Sequence, residues 1–427
     1  MFESLLNALR APDIRRRILF VLGVLVIFRA LAHVPVPGAD PAALRDFFAD
    51  NALFGLLDLF AGGGLSRFSV VGLGVNPYIN ASIIMQLMTG VIPALQALQR
   101  EGEYGRNKIN QYTRYLSVPL SLLQSYGFLA LLNAQGVLTT PFDLASFETL
   151  TQIMTLTAGS VLLMWMGELI TEKGIGNGIS FVIFAGIVAQ VPAGVQRFLE
   201  APNWLQAVIF VAFAVVAVIV IVFITEGQRR IPVQYASRVR GRRMYQGGTT
   251  FLPLRVNQAG VIPIIFAVSI LLFPSQIAGY FTGSEVELVR QAAQFFVDTF
   301  GPQNPIIYGS LYFLLTVGFT YFYTAFTFKP DETAEQLRKN GGFIPGIRPG
   351  RPTQDYLARV VNRITVAGAL FLGIVAVMPF AMSVFFPGAG GLALGGTSLL
   401  IVVSVVVETM KQLEAQLVMR SYEGFIR

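Results

Sequence analysis

Ten apolar runs separated by charged loops dominate this 427-residue sequence and leave few folds open to it. They sit at about 18–34, 76–94, 113–133, 150–170, 178–192, 206–225, 257–275, 305–325, 363–384 and 398–414. Some ~17–25 consecutive apolar residues suffice for a helix to cross the hydrocarbon core of a bilayer. Only 13% of the residues are charged, against roughly 25% in soluble domains. The charges collect between the runs, and a soluble core has no use for so many long apolar segments. The fold class read from this pattern is an all-α polytopic membrane protein with ten transmembrane helices.

The basic residues give the topology. With a cytoplasmic N-terminus and strict alternation, 26 of the 31 Lys and Arg fall on the cytoplasmic side and only Arg45, Arg67, Arg197 and Arg290 on the outer side. Arg29 lies inside the first run and is expected to snorkel outward. Such asymmetry is what the positive-inside rule requires, and it places both termini in the cytoplasm. The first run follows Arg15, Arg16 and Arg17. Its length of about 17 residues exceeds the ~7–15 of a signal-peptide apolar region, so it reads as a span.

The 193–204 connection divides the runs five and five: an N-terminal half at 1–192 and a C-terminal half at 205–427, with large cytoplasmic loops at 226–256 and 326–362. An odd number of spans per half makes equivalent helices run in opposite directions, as in inverted-topology repeats. The second helix of each half is unusual. The runs at 76–94 and 257–275 both begin with an Asn and carry polar groups or proline, and such groups face a protein interior or aqueous cavity rather than lipid.

Between the first two spans, 56–74 reads LLDLFAGGGLSRFSVVGLG. It is apolar, but three consecutive glycines break it and Asp58 and Arg67 add charge. Irregular backbone at membrane depth is tolerated only where protein surrounds it or it lines a cavity. Two readings remain open from the residues alone: a short re-entrant half-helix in the middle of the protein, or an amphipathic stretch on the outer surface.

Several chemistries are excluded. With no Cys and a single His, His33, there is no thiolate or His-pair metal site and no cysteine nucleophile. His33 reads as an interfacial residue. There is no GxxxxGK[ST] phosphate loop, no HExxH and no GxSxG. GIGNG at 174–178 reads as a tight cytoplasmic turn. Glu168 and Glu408 lie near helix ends and read as interfacial rather than as a proton relay. No catalytic residue, metal or cofactor is expected, so energy must come from partners.

Long strings carry a resemblance: LFAGGGLSRFSVVGLGVNPYINASIIMQL (59–87), EGEYGRNKINQYTRY (101–115), GELITEKGIGNGISFVIFAGI (167–187), EGQRRIPVQYASR (226–238), LPLRVNQAGVIPIIFA (252–267), GGFIPGIRPGRPT (341–353) and GGTSLLIVVSVVVE (395–408). In these the chain resembles the SecY/Sec61-alpha family, over almost its whole length and more closely the bacterial members. The resemblance implies two inverted pseudo-symmetric five-helix halves around a central hourglass pore in the bacterial plasma membrane. It implies a plug at about 58–68, comprising Asp58, Phe60, Gly62, Gly63, Gly64, Leu65, Ser66 and Arg67. It implies an apolar pore ring of Val75, Ile79, Ile83, Ile179, Ile183, Ile265 and Ile401, although Val75 departs from the isoleucine usual there. Ile79/Ile83 and Ile179/Ile183 are i,i+4 pairs that each project from one helix face. Branched apolar side chains around a narrow opening gate ions by dewetting.

The same resemblance implies a lateral gate in which Asn80, Gln86 and Thr89 face Asn257 and Gln258. Polar contacts between membrane helices contribute only ~0.6 kcal/mol each, which suits a seam that opens for signal sequences. In the 226–256 loop, the alternation of Ile231, Val233 and Tyr235 leads to Arg238, Arg240, Arg242 and Arg243 around Gly241, reading as a β-hairpin with a basic tip. A second loop presents Arg348 in a Pro-Gly-rich turn. Attraction to anionic lipids explains the sign of these charges. The resemblance implies that the two loops dock the SecA ATPase or the ribosome, with SecE and SecG as companion subunits and signal sequences and nascent polypeptides as cargo. Two competing classes are a secondary transporter of a small solute built on inverted repeats, which needs a polar midplane site, and an intramembrane enzyme, for which no catalytic pair is present.

Overall fold

A computed structural model describes residues 11–50, 58, 61–140, 142–143, 146–200, 204–235, 238–240, 243–245, 248–281, 286–300, 305–385 and 396–426. The helices are α1 Pro12–Leu31, α2 Pro41–Asp50, α3 Asn76–Val91, α4 Pro93–Arg100, α5 Glu103–Ala134, α6 Phe147–Lys173, α7 Gly178–Glu200, α8 Trp204–Glu226, α9 Ile262–Phe281, α10 Glu287–Phe300, α11 Pro305–Thr327, α12 Pro330–Lys339, α13 Arg351–Phe385 and α14 Gly396–Ile426. Strands β1 Gln228–Tyr235, β2 Arg238–Arg240, β3 Arg243–Tyr245, β4 Thr249–Arg255 and β5 Gly342–Phe343 are confined to two loops.

Each of the ten apolar runs is helical over most of its length, in α1, α3, α5, α6, α7, α8, α9, α11, α13 and α14. Among the described residues, four helical stretches (103–133, 147–173, 306–339 and 351–378) are long and apolar enough to cross a membrane by length and composition. The α3–α4 pair, bent by 98°, would make a fifth. These helices wear their apolar side chains outward. On α8, Val211, Val215, Val216, Ile219 and Phe223 are exposed, and on α1 Leu19, Leu22, Val26 and Ile27 are. A stripe of that kind suits lipid, not water.

Local chemistry sets the helix ends. Pro12 in the first turn of α1 has no N–H to leave unpaired. Ser146 caps α6 by accepting from the Thr149 amide at 3.3 Å. The seventh run departs from its expected start at 257. The amide side chain of Asn257 donates to the Gly260 carbonyl at 3.1 Å, Gly260 takes a left-handed φ of 64°, and helix begins only at Ile262, with Pro263 in its first turn. The second run breaks at Ile92, before Pro93, because a residue preceding proline is pushed out of helical geometry.

The spanning helices pack in a repeating order. In the first five, α3 meets α5, α5 meets α6, α6 meets α7, and α1 closes on α7. In the second five, α9 meets α11, α11 meets α13, α13 meets α14, and α8 closes on α14. Between the two sets, α9 lies against α3 and α5, and α14 against α7. Helix α13 has 35 residues, about 52 Å of rise, well beyond the ~30 Å of a hydrocarbon core. Its charged N-terminal turns, with Arg351 and Arg359, therefore project beyond the hydrocarbon.

That projection supports a small domain built from both large loops. Strand β1 pairs antiparallel with β4, from Gln228 opposite Arg255 to Gln234 opposite Thr249. On its other edge it pairs with β5 of the second loop, Gln234 opposite Phe343. Ile231, Val233 and Leu254 pack with Ala334, Ile344, Leu357 and Val361 in a separate apolar core.

Candidate functional site

The segment 61–75, which leads into α3, is built of successive turns. Asp58 has helical geometry, and Phe60 lies outside the described residues. The segment does not lie on the surface: Ala61, Gly62, Gly64, Leu65, Phe68 and Val71 are buried. Its backbone is held by named bonds. The Asp58 carboxylate Oδ1 accepts the amides of Leu65 and Ser66, both at 2.9 Å, and the Ser66 hydroxyl donates to the Gly63 carbonyl at 3.4 Å. Gln190 of α7 donates from Nε2 to the Asp58 carbonyl at 3.3 Å. Farther along, Val36 donates to Phe68 at 2.7 Å and Val70 to Val34 at 3.0 Å.

The three glycines have different duties. Gly62 sits at φ 69°. A Cβ there would lie 2.9 Å from Cζ of Phe28 on α1 and 3.1 Å from Cα of Gly186 on α7. Gly63 shares the left-handed backbone at φ 79° but has only Gln190 Nε2 nearby, at 3.8 Å. A Cβ on Gly64 would crowd Ser69 Oγ at 2.7 Å. The GGG run is therefore a close-approach turn wedged between α1 and α7.

Arg29 at the end of α1 donates from Nη1 to the Gly62 carbonyl at 2.7 Å, so its guanidinium is tied to the broken segment. His33, one turn on, holds the Arg29 carbonyl through Nδ1 at 2.8 Å, and its Nε2 meets Nη1 of Arg67. Neither Arg29 nor His33 was singled out in the sequence as a partner of this segment; the only signal was a charge inside an apolar run.

Beneath the segment lies the main apolar core. Val75 (0% exposed), Ile79, Ile83, Ile183 and Ile401 are buried in it, and Ile179 and Ile265 pack half-buried against it. All seven residues thus share one cluster with Ala61, Leu65, Phe68 and Val71 of the broken segment. They come from α7, α9, α14, α3 and the residue capping α3. Ser160 of α6 pins the approach to α3 by donating to the Gly74 carbonyl at 3.0 Å. A cluster of this composition offers a passing chain no hydrogen bond and offers ions no solvation.

The seam between α3, α5 and α9 carries the polar residues expected there, but they are satisfied locally or not at all. The Thr89 hydroxyl donates to Gln86 within its own helix at 2.7 Å. Asn257 bonds its own turn. The side-chain carbonyl oxygens of Gln86, Asn257 and Gln258 are buried without a partner among the described residues. No bond from Asn80, Gln86 or Thr89 to Asn257 or Gln258 is formed. A buried unpaired amide oxygen costs on the order of 1–3 kcal/mol, so this seam is held by apolar packing and weakened by its polar groups.

The 226–256 loop contains a hairpin as expected: β2 and β3 pair with Arg238 opposite Tyr245 and Arg240 opposite Arg243. Gly241 and Arg242 at its tip lie outside the described residues. Arg348 is exposed, and the hydroxyl of Thr353 donates to its carbonyl at 2.9 Å. Gly346 and Gly350 hold left-handed φ values of 80° and 104° in the flanking turns. Among the described residues the Arg348 guanidinium has no ion pair. Glu168 is paired with Arg114 and Glu408 is exposed. Among the described residues no cluster of His, Cys, Asp and Glu could hold a metal.

Comparison with known proteins matches this arrangement. The SecY family model matches residues 69–410. Proteins named "Protein translocase subunit SecY" align along the full length of both chains: 44% identity over 444 residues in Streptomyces scabiei, 44% over 445 in Mycobacterium tuberculosis and 45% over 448 in Mycobacterium leprae. Among solved structures, one described as "The structure of a protein conducting channel" has a TM-score of 0.66 at 20% identity, covering 93% of this chain and 91% of that one. Another, "Sec61 in the Canine ribosome-channel complex from the endoplasmic reticulum", has 0.63 at 19% over the same shares; at that identity both bear on the fold alone. The full-length relatives and the family model together show that the chain belongs to the SecY family.

Proposed function

We propose that this chain is the channel-forming subunit of a protein translocase, conducting unfolded polypeptides across the bacterial plasma membrane. The observation that carries the reading is the shared core. Seven apolar residues from both sets of helices belong to the same apolar core as Ala61, Leu65, Phe68 and Val71 of the buried, hydrogen-bonded segment, a composition that seals against ions and yields to a chain. In this reading Val75, Ile79, Ile83, Ile179, Ile183, Ile265 and Ile401 form the pore ring and 58–68 the plug. The repeating helix contacts support two five-helix halves; helix α7 runs on to Glu200, so residues 193–200 of the expected connection are helical. The α3–α5–α9 seam serves as the lateral gate through which signal sequences and transmembrane segments pass into lipid. A solute transporter would need convergent polar groups where this cluster is apolar.

The hairpin and the Arg348 turn form a basic docking face in the cytoplasm, where both termini also lie. Its partners are the SecA ATPase and the ribosome, the latter supported by the relative solved in a ribosome–channel complex. SecE and SecG complete the channel. Ion conductance of the reconstituted protein tests the assignment: Ile83→Gly, and separately deletion of 60–66, should raise leak above the parent. Two variants as tight as the parent would refute it.

A further inference from the structure

We propose that α10 is an outer-leaflet anchor, a helix whose exposed apolar stripe docks into the interfacial region of the bilayer beside α9. This rests on the membrane-channel reading above. Helix α10 connects the outer ends of α9 and α11, and its 14 residues span about 21 Å, too short to cross a core of ~30 Å. Its side chains divide into three stripes at roughly 100° per residue.

Glu287, Arg290, Gln291 and Gln294 make a polar stripe that is tied to itself. Gln291 Nε2 donates to Glu287 Oε1 at 3.2 Å, and Arg290 lies 4.0 Å from the same carboxylate. Ala293 is buried on a second stripe, with α10 packed along α9. The third stripe is apolar and open: Leu288 is 77% exposed and Phe295 64%. It lies roughly 100° around the helix from the centre of the polar stripe, so the helix can lie in an interface with the apolar stripe inward and its charges in water.

Lipid is the occupant that the surroundings favour. Phe281 (50% exposed) at the end of α9 and Ile306 (82%) at the start of α11 are open apolar residues on the two helices that α10 joins, both of which cross the membrane in the membrane-channel reading. The elements on either side of α10 thus carry exposed apolar side chains as well. On the polar stripe, Arg290 and Gln291 are already engaged by Glu287. Because α10 packs along α9, seating it in the outer leaflet fixes the outer end of a helix that borders the seam.

The test uses the full chain in phosphatidylcholine vesicles whose acyl chains are brominated either near the headgroup or near the methyl end. Trp165→Phe and Trp204→Phe remove the native indoles. In that background Phe295→Trp should emit blue-shifted light and lose more of it to shallow bromines than to deep ones. Gln291→Trp should emit to the red and be quenched by aqueous iodide. Val216→Trp on α8 is the lipid-facing reference. Quenching of Val216→Trp without quenching of Phe295→Trp overturns the anchor and spares the membrane reading; quenching of neither overturns that reading itself. Shielding of Phe295→Trp from both bromine and iodide means a protein covers the stripe, and strongest quenching by deep bromines means the helix is not interfacial; each overturns the proposal. Leu288→Trp repeats the measurement on the same stripe should Phe295→Trp fail to fold.

Discussion

Arg29 of α1 and Gly62 of the broken segment are joined by a hydrogen bond of 2.7 Å from Nη1 to the carbonyl oxygen. In the proposed channel it links α1 to the segment read as the plug. A hydrogen bond from a charged donor contributes on the order of 1.5–3 kcal/mol. Arg29→Ala should therefore shift the plug toward its displaced state by roughly tenfold to a hundredfold. Single-channel recording of the reconstituted variant should show more frequent openings without substrate, and opening as rare as in the parent would disprove the latch.

Gly62 and Gly63 separate two effects of adding a methyl group. Both occupy left-handed backbone, which costs a non-glycine residue roughly 1–2 kcal/mol. Only Gly62→Ala also drives a Cβ against the Phe28 ring and Gly186. Gly62→Ala should leak measurably more than Gly63→Ala in the same conductance assay, and equal leak would show that packing between α1 and α7 does not seat the plug.

The ten apolar runs, the basic loops and the hairpin were legible because each is a local property of sequence. Period, charge and turn residues decide them within a window of about a dozen residues. The start of α9 was misplaced by five residues because hydropathy does not register that Gly260 is left-handed and that Asn257 bonds its own turn. The bond from Arg29 to Gly62 was invisible for a different reason: nothing local records a contact across 33 positions. The polar residues of the seam were identified, but their lack of cross-helix partners depends on rotamers and helix phase that no sequence pattern specifies.

Arg348→Glu should abolish motor-driven export while leaving the protein folded. The side chain is exposed and makes no ion pair among the described residues, and the turn is held by the Thr353 hydroxyl on the Arg348 carbonyl. A surface change of this kind alters stability by about 0.5 kcal/mol or less. Melting of the detergent-solubilised variant should match the parent while ATP-driven transport in proteoliposomes is lost. Normal transport would remove Arg348 from the docking face.

Leu357→Ala should loosen both cytoplasmic loops at once. Leu357 is fully buried among Ile231, Val233 and Ile344, and truncation of a core leucine costs about 2–5 kcal/mol. Hydrogen exchange should accelerate in β1 and β4 although both lie more than a hundred residues away in sequence. Faster exchange limited to α13 would mean that the two loops fold independently.

The pairing of β1 with both β4 and β5 has a mechanical consequence. A load applied at the hairpin is carried as shear across main-chain hydrogen bonds into the second loop, then through Ile231 and Leu357 into the foot of α13. That helix continues without a break for 35 residues, about 52 Å of rise, so a load at its foot is carried along its axis toward the apolar core. A partner gripping either loop pulls on the same lever.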